Sequence, residues 1–133
     1  MRKKIIILGS TGSIGKSLVK ILKKDKNDFE ILLLTTNSNY KELLKQVHFF
    51  NVKNLIITNK KSYIITQKIL KNKKINIYNN FDTLDKIFKK RKADYTMSSI
   101  SGFAGLNPTL KIIKFSKKIA IANKESIICG WKL

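Results

Sequence analysis

Three glycines near the start of the chain have the spacing of a phosphate-binding turn. Gly9, Gly12 and Gly15 lie three residues apart in ILGSTGSIG, after an apolar run and before residues with helical spacing. The first N–H groups of a helix lack partners and carry positive potential, and glycine lets a phosphate approach closely. The stretch therefore predicts a dinucleotide-binding turn, with a tight turn that binds nothing as the alternative. Gly15-Lys16-Ser17 imitates the end of a P-loop but follows Gly9 too soon to be one.

A second candidate segment, LLLTTNSNYK, contains only neutral side chains and one lysine. In a dinucleotide-binding fold this segment would reach the adenosine ribose, where an NAD-dependent protein usually places Asp or Glu. The residues here offer neutral hydrogen-bonding groups: Thr35, Thr36, Asn37, Ser38 and Asn39, followed by Lys41. Since no carboxylate would repel a 2′-phosphate, the segment favours NADP over NAD. Ordinary turn and cap residues are the alternative explanation.

Two later segments are expected at the same edge of a sheet, since ligands bind at the carboxyl ends of parallel strands. One is SGFAGLNPTL, where Gly102 and Gly105 predict another turn of close approach. The other is IAIANKES, where Asn123 could cap the next helix and Lys124 and Glu125 follow it. A plain helix start, with Glu125 favoured by the helix dipole, is one interpretation. The other places Lys124 on an anionic substrate and Asn123 and Glu125 beside a nicotinamide.

The remaining candidates for chemistry are weak. His48 lies in a helical apolar stripe and is interpreted as structural, and Cys129 as a packed thiol without a partner. Asp82 and Asp85 fit a helix cap and a first-turn acid. No cluster has the spacing of a metal site, so we predict neither catalytic nor metal-binding residues in this chain.

Alternating apolar runs and helical stripes supply the elements that would position these segments. Six short runs indicate strands: Ile5–Leu8, Phe29–Thr35, Leu55–Thr58, Ile75–Tyr78, Tyr95–Ser98 and Ile119–Ala122. Between them lie helical patterns: Ile14–Leu22, Tyr40–Phe50, Tyr63–Leu70, Leu84–Phe88 and Leu110–Phe115, with a further helix after the last strand. This spacing predicts an α/β fold, a Rossmann-like doubly wound parallel sheet of about six or seven strands in a three-layer α/β/α arrangement.

Composition narrows the class of protein. The 133 residues are 43% hydrophobic, which fits one globular domain, and no apolar run is long enough to span a membrane or to serve as a signal peptide. The 28 Lys and Arg outnumber the 8 Asp and Glu, for a net charge of +20. A polyanion partner is one explanation. Scattered lysines and only two arginines favour compositional drift, and the longest basic run, 89–92, fits a solvated helix end. We expect a cytoplasmic protein with no nucleic-acid or membrane partner.

Taken together, ILGSTGSIG, SGFAGLNPTL and ANKESIICG resemble the N-terminal, NADPH-binding domain of the 1-deoxy-D-xylulose 5-phosphate reductoisomerase family. The resemblance covers essentially the whole chain, and ANKES is its most specific part. It implies reductive isomerisation of a sugar phosphate to 2-C-methyl-D-erythritol 4-phosphate in non-mevalonate isoprenoid biosynthesis. It also implies NADPH, Mg or Mn as cofactors, a sugar-phosphate substrate and a homodimer at full length.

The resemblance also assigns residues. Thr11, Gly12, Ser13 and Ile14 would hold the cofactor pyrophosphate. Asn37, Ser38 and Asn39 stand where the family has Gly-Lys-Asn around the 2′-phosphate, and only Asn39 matches, so Lys41 or another lysine would have to substitute. Asn123 and Glu125 correspond to residues near the nicotinamide, and Lys124 to one that contacts substrate.

The family's metal-binding and C-terminal helical domains would follow the last residues, Trp131 and Leu133. We therefore expect residues 1–133 to form an NADP(H)-binding domain, cut short, that is inactive alone. Two other functions stay open: a basic α/β module that binds nucleic acid, and another NADP-dependent oxidoreductase such as a semialdehyde dehydrogenase. The latter needs a nucleophilic cysteine, and Cys129 has no histidine near it in sequence.

Overall fold

A six-stranded parallel sheet organises the chain in the computed structural model, which describes residues 1–89 and 91–130. The strands are β1 (Lys3–Leu8), β2 (Phe29–Thr36), β3 (Asn54–Ile57), β4 (Asn76–Tyr78), β5 (Tyr95–Ser98) and β6 (Ile119–Ile121). Their order in the sheet is β4-β3-β2-β1-β5-β6, and every pairing is parallel. The chain moves outward from β1 to β4 and then returns to place β5 against the other side of β1. The strand order reverses between β1 and β5, which is where doubly wound sheets open a crevice for ligands.

Helices connect the strands and cover both faces of the sheet. They are α1 (Ser13–Lys24), α2 (Tyr40–Phe50), α3 (Lys60–Ile69), α4 (Leu84–Phe88), α5 (Leu106–Ile112) and α6 (Lys124–Gly130). Short 3-10 turns precede β2, α4 and α5 and follow α5. The predicted α/β class and six strand–helix repeats are confirmed.

The core has two halves because the central strands are apolar on both faces. Ile5 and Ile7 of β1 pack with Val19 and Leu22 of α1 on one side. The alternate residues of β1, among them Ile6, pack on the other side in a cluster that includes residues of α4 and α5. This alternation is the period of two that a buried strand imposes on its side chains. It leaves the carboxyl ends of the strands free to carry polar loops.

Several predicted boundaries shift in the structure. The third helix begins at Lys60 rather than Tyr63, because Asn59 caps it by accepting a hydrogen bond from the Ser62 N–H at 2.9 Å. The fifth begins at Leu106 rather than Leu110. Ile14 and Ile21, which share the helical spacing of the apolar residues of α1, are exposed.

A few sequence expectations fall outside what the structure describes. They concern Lys90, Trp131 and Leu133 and the side chain of Cys129. In the part of the chain that is described, no helix has the length and apolarity needed to cross a membrane.

Candidate dinucleotide-binding site

The glycine turn leaves β1 at Gly9 in a conformation that favours glycine. Gly9 has φ +74°, and a Cβ there would lie 3.0 Å from the carbonyl oxygen of Ser99. Ser99, which follows β5, donates its hydroxyl to the Leu8 carbonyl at 2.7 Å and its N–H to the same oxygen at 3.0 Å. The turns after β1 and β5 therefore pack backbone to backbone, and together they form the floor of the crevice.

Helix α1 begins inside this turn. Among the described residues, no side chain caps the first N–H groups of the helix. Gly12 is the N-cap residue, and the first helical hydrogen bond runs from the Lys16 N–H to the Gly12 carbonyl at 2.8 Å. Gly15 brings the helix against the turn, since a Cβ there would lie 2.7 Å from Ser10 Cα. The N–H groups of the first turn thus remain available to an anion at the positive end of a 12-residue helix.

Hydrogen bonds from the end of β2 fix the glycine turn in place. The Gly9 N–H donates to Thr35 Oγ1 at 2.9 Å, and the Ser10 N–H donates to the Thr35 carbonyl at 3.0 Å. The hydroxyls of Thr11 and Thr36 lie 2.6 Å apart. Thr35 and Thr36 are buried, so these side chains organise the turn and are not exposed ligand groups.

A cavity of about 580 Å³ opens over the carboxyl ends of β1, β2 and β5. Its lining comes from the glycine turn, the end of β2, Thr58 after β3, and the segment between β5 and α5. The residues are Gly9, Thr11, Gly12, Thr35, Thr36, Asn37, Thr58, Phe81, Ser99, Ile100, Ser101, Ala104, Asn107 and Pro108. Two segments singled out from the sequence, around Gly9 and around Gly102, therefore share one crevice.

The segment 37–39 reaches this crevice through Asn37, which is part of the lining. Asn39 caps α2 by accepting from the Glu42 N–H at 3.3 Å. Asn37 accepts a hydrogen bond from Thr58 Oγ1 at 2.9 Å, and all three residues of the segment are exposed. The cap interpretation of Asn39 is correct, and its oxygen is engaged by the helix.

The segment after β6 lies at the opposite end of the site. Asn123 is buried and donates Nδ2 to the Ile100 carbonyl and, at 2.6 Å, to the Gly102 carbonyl, while its Oδ1 accepts from the Ser126 N–H at 3.2 Å. A second cavity, of about 310 Å³, brings Ile14 together with Asn123, Lys124 and Glu125. Asn123 therefore caps α6 as predicted and also joins it to the loop after β5.

The structure adds residues that the sequence did not single out. Thr58 and Ser99 each hold one loop of the site against another, and Gln46 joins α2 to the glycine turn. Their signal in the sequence is only a polar residue in an otherwise buried stretch. By contrast, His48 is exposed, which corrects its assignment to an apolar stripe. Among residues 1–89 and 91–130, no three His, Cys, Asp or Glu side chains come close enough together to hold a metal ion.

The fold and the crevice define a class: a Rossmann-like α/β protein with a glycine turn at the point where its strand order reverses. The sequence model of one family, 1-deoxy-D-xylulose 5-phosphate reductoisomerase, matches residues 5–130. The chain belongs to that family.

Individual relatives agree with this membership. A 1-deoxy-D-xylulose 5-phosphate reductoisomerase of Pelagibacter ubique is 64% identical over 132 residues, which are 98% of this chain and 34% of the relative. The enzyme of Buchnera aphidicola is 41% identical over 131 residues. The solved structure of the Zymomonas mobilis reductoisomerase in complex with NADPH has a TM-score of 0.85 at 31% identity and covers 96% of this chain and 34% of its own. The chain thus spans about a third of the length of the curated relatives it matches.

Proposed function

We propose that this chain is the NADPH-binding portion of a 1-deoxy-D-xylulose 5-phosphate reductoisomerase. The observation that carries the proposal is the crevice of about 580 Å³, which joins the glycine turn, the neutral end of β2 and the loop after β5. The pyrophosphate of a dinucleotide cofactor needs unpaired N–H donors, and the first turn of α1 offers them without a side-chain cap from the described chain. The Zymomonas mobilis structure with the same fold was solved with NADPH.

The pyrophosphate would lie on the start of α1. Thr11, Gly12, Ser13 and Ile14 surround the N-terminal end of that helix, and Gly12, Ser13 and Ile14 are exposed. The open backbone at Gly12 allows a phosphate to approach where a side chain would stand in its way. These four residues are the proposed pyrophosphate contacts.

The adenosine end would lie against Asn37, Ser38 and Asn39. No carboxylate occupies this segment, which would otherwise oppose a 2′-phosphate. The crevice reaches Asn37, and Thr58 holds the amide oxygen of Asn37, so its amide nitrogen is left to face a ligand.

The nicotinamide end would then reach the second cavity. Asn123 and Glu125 would lie beside the nicotinamide, and Lys124, which is exposed on the rim, would contact the anionic substrate. Bound NADPH supplies a hydride, and these residues would orient its ring relative to substrate.

The activity proposed for the complete enzyme is reduction and isomerisation of 1-deoxy-D-xylulose 5-phosphate to 2-C-methyl-D-erythritol 4-phosphate. The proposal assigns residues 1–133 to an NADP(H)-binding domain. Mg or Mn would be held by parts of the longer relatives outside the matched third, where a metal-binding and substrate-binding domain and a C-terminal helical domain would lie. A small sugar-phosphate substrate and a homodimer belong to that complete enzyme.

The test is an NMR titration of the chain with NADPH. We expect the amide signals of residues 9–15 and 37–39 to move with one common dissociation constant, with NADP-free buffer and adenosine as controls. Unmoved signals in residues 9–15 would contradict the proposal. If NADPH had no effect while DNA bound in a salt-dependent way, the nucleic-acid module would replace it.

A kinetic experiment tests whether these residues bind NADPH without catalysing the reaction. The 133 residues are supplied with NADPH, Mg and substrate, and NADPH oxidation is followed by absorbance. We expect binding without turnover, and steady turnover would show that the metal and substrate sites do not require the rest of the longer relatives.

A further inference from the structure

We propose that Lys60 and Lys61, in the first turn of α3, bind the 2′-phosphate of the cofactor and set the preference for NADPH over NADH. This inference rests on the proposed function. It names residues outside the segment 37–39 that the sequence pointed to.

Three hydrogen bonds join the start of α3 to that segment. The Asn59 N–H donates to the Asn37 carbonyl at 3.0 Å, and Thr58 Oγ1 donates to Asn37 Oδ1 at 2.9 Å. One turn further along, Ser62 Oγ donates to the Ser38 carbonyl at 3.0 Å. Residues 60 and 61 lie between Asn59 and Ser62 in the sequence, and so between these contacts. The backbone of both lysines therefore lies beside the segment proposed to contact the adenosine ribose.

The charges around this edge favour α3 as the source of the cation. The usual partner of a 2′-phosphate is arginine, but Arg2 and Arg91 line a cavity at the amino ends of the strands, away from the crevice. Lys41 is followed directly by Glu42, the acid in the first turn of α2. The first turn of α3 carries no acid, so the field of its two lysines is not offset there.

Both lysine side chains are available to a ligand. They are exposed, and the three ion pairs found among residues 1–89 and 91–130 involve Lys111, Lys114 and Lys117 instead. A lysine ammonium on a flexible stem can follow a phosphate that lies several ångströms beyond the backbone. The 2′-phosphate is a dianion that NADH lacks, so these contacts would act on one nucleotide only.

The experiment compares two double variants with the same change in net charge. Lys60→Gln with Lys61→Gln removes the proposed contacts, and Lys68→Gln with Lys71→Gln removes two exposed lysines at and just beyond the carboxyl end of α3. Dissociation constants for NADPH and NADH are measured by nucleotide fluorescence at fixed salt. We expect the first pair to weaken NADPH binding about ten-fold or more, since charge-assisted hydrogen bonds are lost. NADH binding should change by less than about two-fold in both variants.

The possible outcomes separate this inference from the proposed function. An unchanged ratio of the two dissociation constants in Lys60→Gln/Lys61→Gln, with tight NADPH binding retained, overturns the role of these lysines and leaves the site in place. A ratio that collapses in Lys41→Gln alone also overturns it, in favour of α2. If the unaltered chain binds neither nucleotide, the proposed function itself fails.

Discussion

Gln46 of α2 is hydrogen-bonded to the glycine turn: its Nε2 donates to the Ser10 carbonyl at 2.9 Å. The side chain is fully buried, and no described residue pairs with its Oε1. Burying an amide with an unpaired oxygen lowers the stability of the fold. We therefore infer that the hydrogen bond from Nε2 to Ser10 stabilises the turn enough to offset part of this cost. By fixing the Ser10 carbonyl, Gln46 orients the peptide planes that follow it in the turn.

Gln46→Leu should loosen the turn. The Ser10 carbonyl loses its partner, and we expect the free energy of unfolding to fall by about 1–2 kcal/mol, since loss of the unpaired Oε1 offsets part of the penalty. NADPH binding should weaken as well, because the turn is no longer pre-ordered. Thermal unfolding and fluorescence titration measure the two effects. The control is Gln67→Leu on the exposed side of α3, with an expected change within about 0.5 kcal/mol. Equal stability and affinity in Gln46→Leu and the unaltered chain would refute this role.

Gly12 and Gly15 should respond differently to alanine. In Gly15→Ala the new Cβ would overlap the backbone of Ser10, so α1 must move away from the turn at a cost of about 1–3 kcal/mol. In Gly12→Ala the Cβ would lie 3.6 Å from the Gly9 carbonyl oxygen, an ordinary contact, and φ is −77°. Stability should then change by less than about 1 kcal/mol.

NADPH affinity separates these variants further. Gly12→Ala should lose affinity while keeping its unfolding temperature, because the methyl group would stand where the pyrophosphate is proposed to approach. A Gly12→Ala variant that binds NADPH normally would show that the phosphate does not come close to this residue.

Much of this architecture follows from sequence pattern alone. The apolar run Phe29–Thr35 predicts a strand covered on both faces, and β2 is buried along most of its length. The order of the strands was not specified by periodicity, because pairing depends on contacts distant in sequence. Gly9 could be predicted as a turn residue because few residues other than glycine adopt the positive φ that this turn needs.

Some contacts within the site had no sequence signal. The segment 37–39 was predicted to reach the adenosine ribose, but the hydrogen bond that joins Asn37 to Thr58 depends on β3 lying beside β2. Ile14 and Ile21 share the helical spacing of their apolar neighbours, yet both are exposed, because α1 buries only a narrow face against the sheet. The hydrogen bond between Asn37 and Thr58 and the burial of α1 both depend on tertiary packing, which the local sequence pattern does not encode.

Asn123 offers a test of the link between α6 and the loop after β5. Asn123→Asp keeps the cap oxygen but turns the donor that faces the Ile100 and Gly102 carbonyls into a second acceptor. We expect faster amide exchange in residues 124–128 and a free energy of unfolding lower by about 2 kcal/mol. This loss should equal or exceed the loss in Asn123→Ala. The control is Asn59→Asp, which keeps the cap of α3 and should be tolerated. If Asn123→Asp exchanged as slowly as the unaltered chain, the two donated hydrogen bonds would not hold α6.

Acid should weaken the amino-terminal edge of the sheet through Asp94. The Lys4 N–H donates to Asp94 Oδ2 at 2.9 Å and Lys117 Nζ to Oδ1 at 3.1 Å, and together they lower the pKa of this carboxyl. A lowered pKa in the folded state gives stability that is present above the unfolded value, about 3.9, and is lost as pH falls through the folded value. Asp94→Asn should therefore be less stable than the unaltered chain near neutral pH, with the difference shrinking in acid. Urea unfolding between neutral pH and pH below about 3 measures it, with exposed Asp28→Asn as control. A stability difference that stayed constant across that range would show that the charge on Asp94 does not contribute.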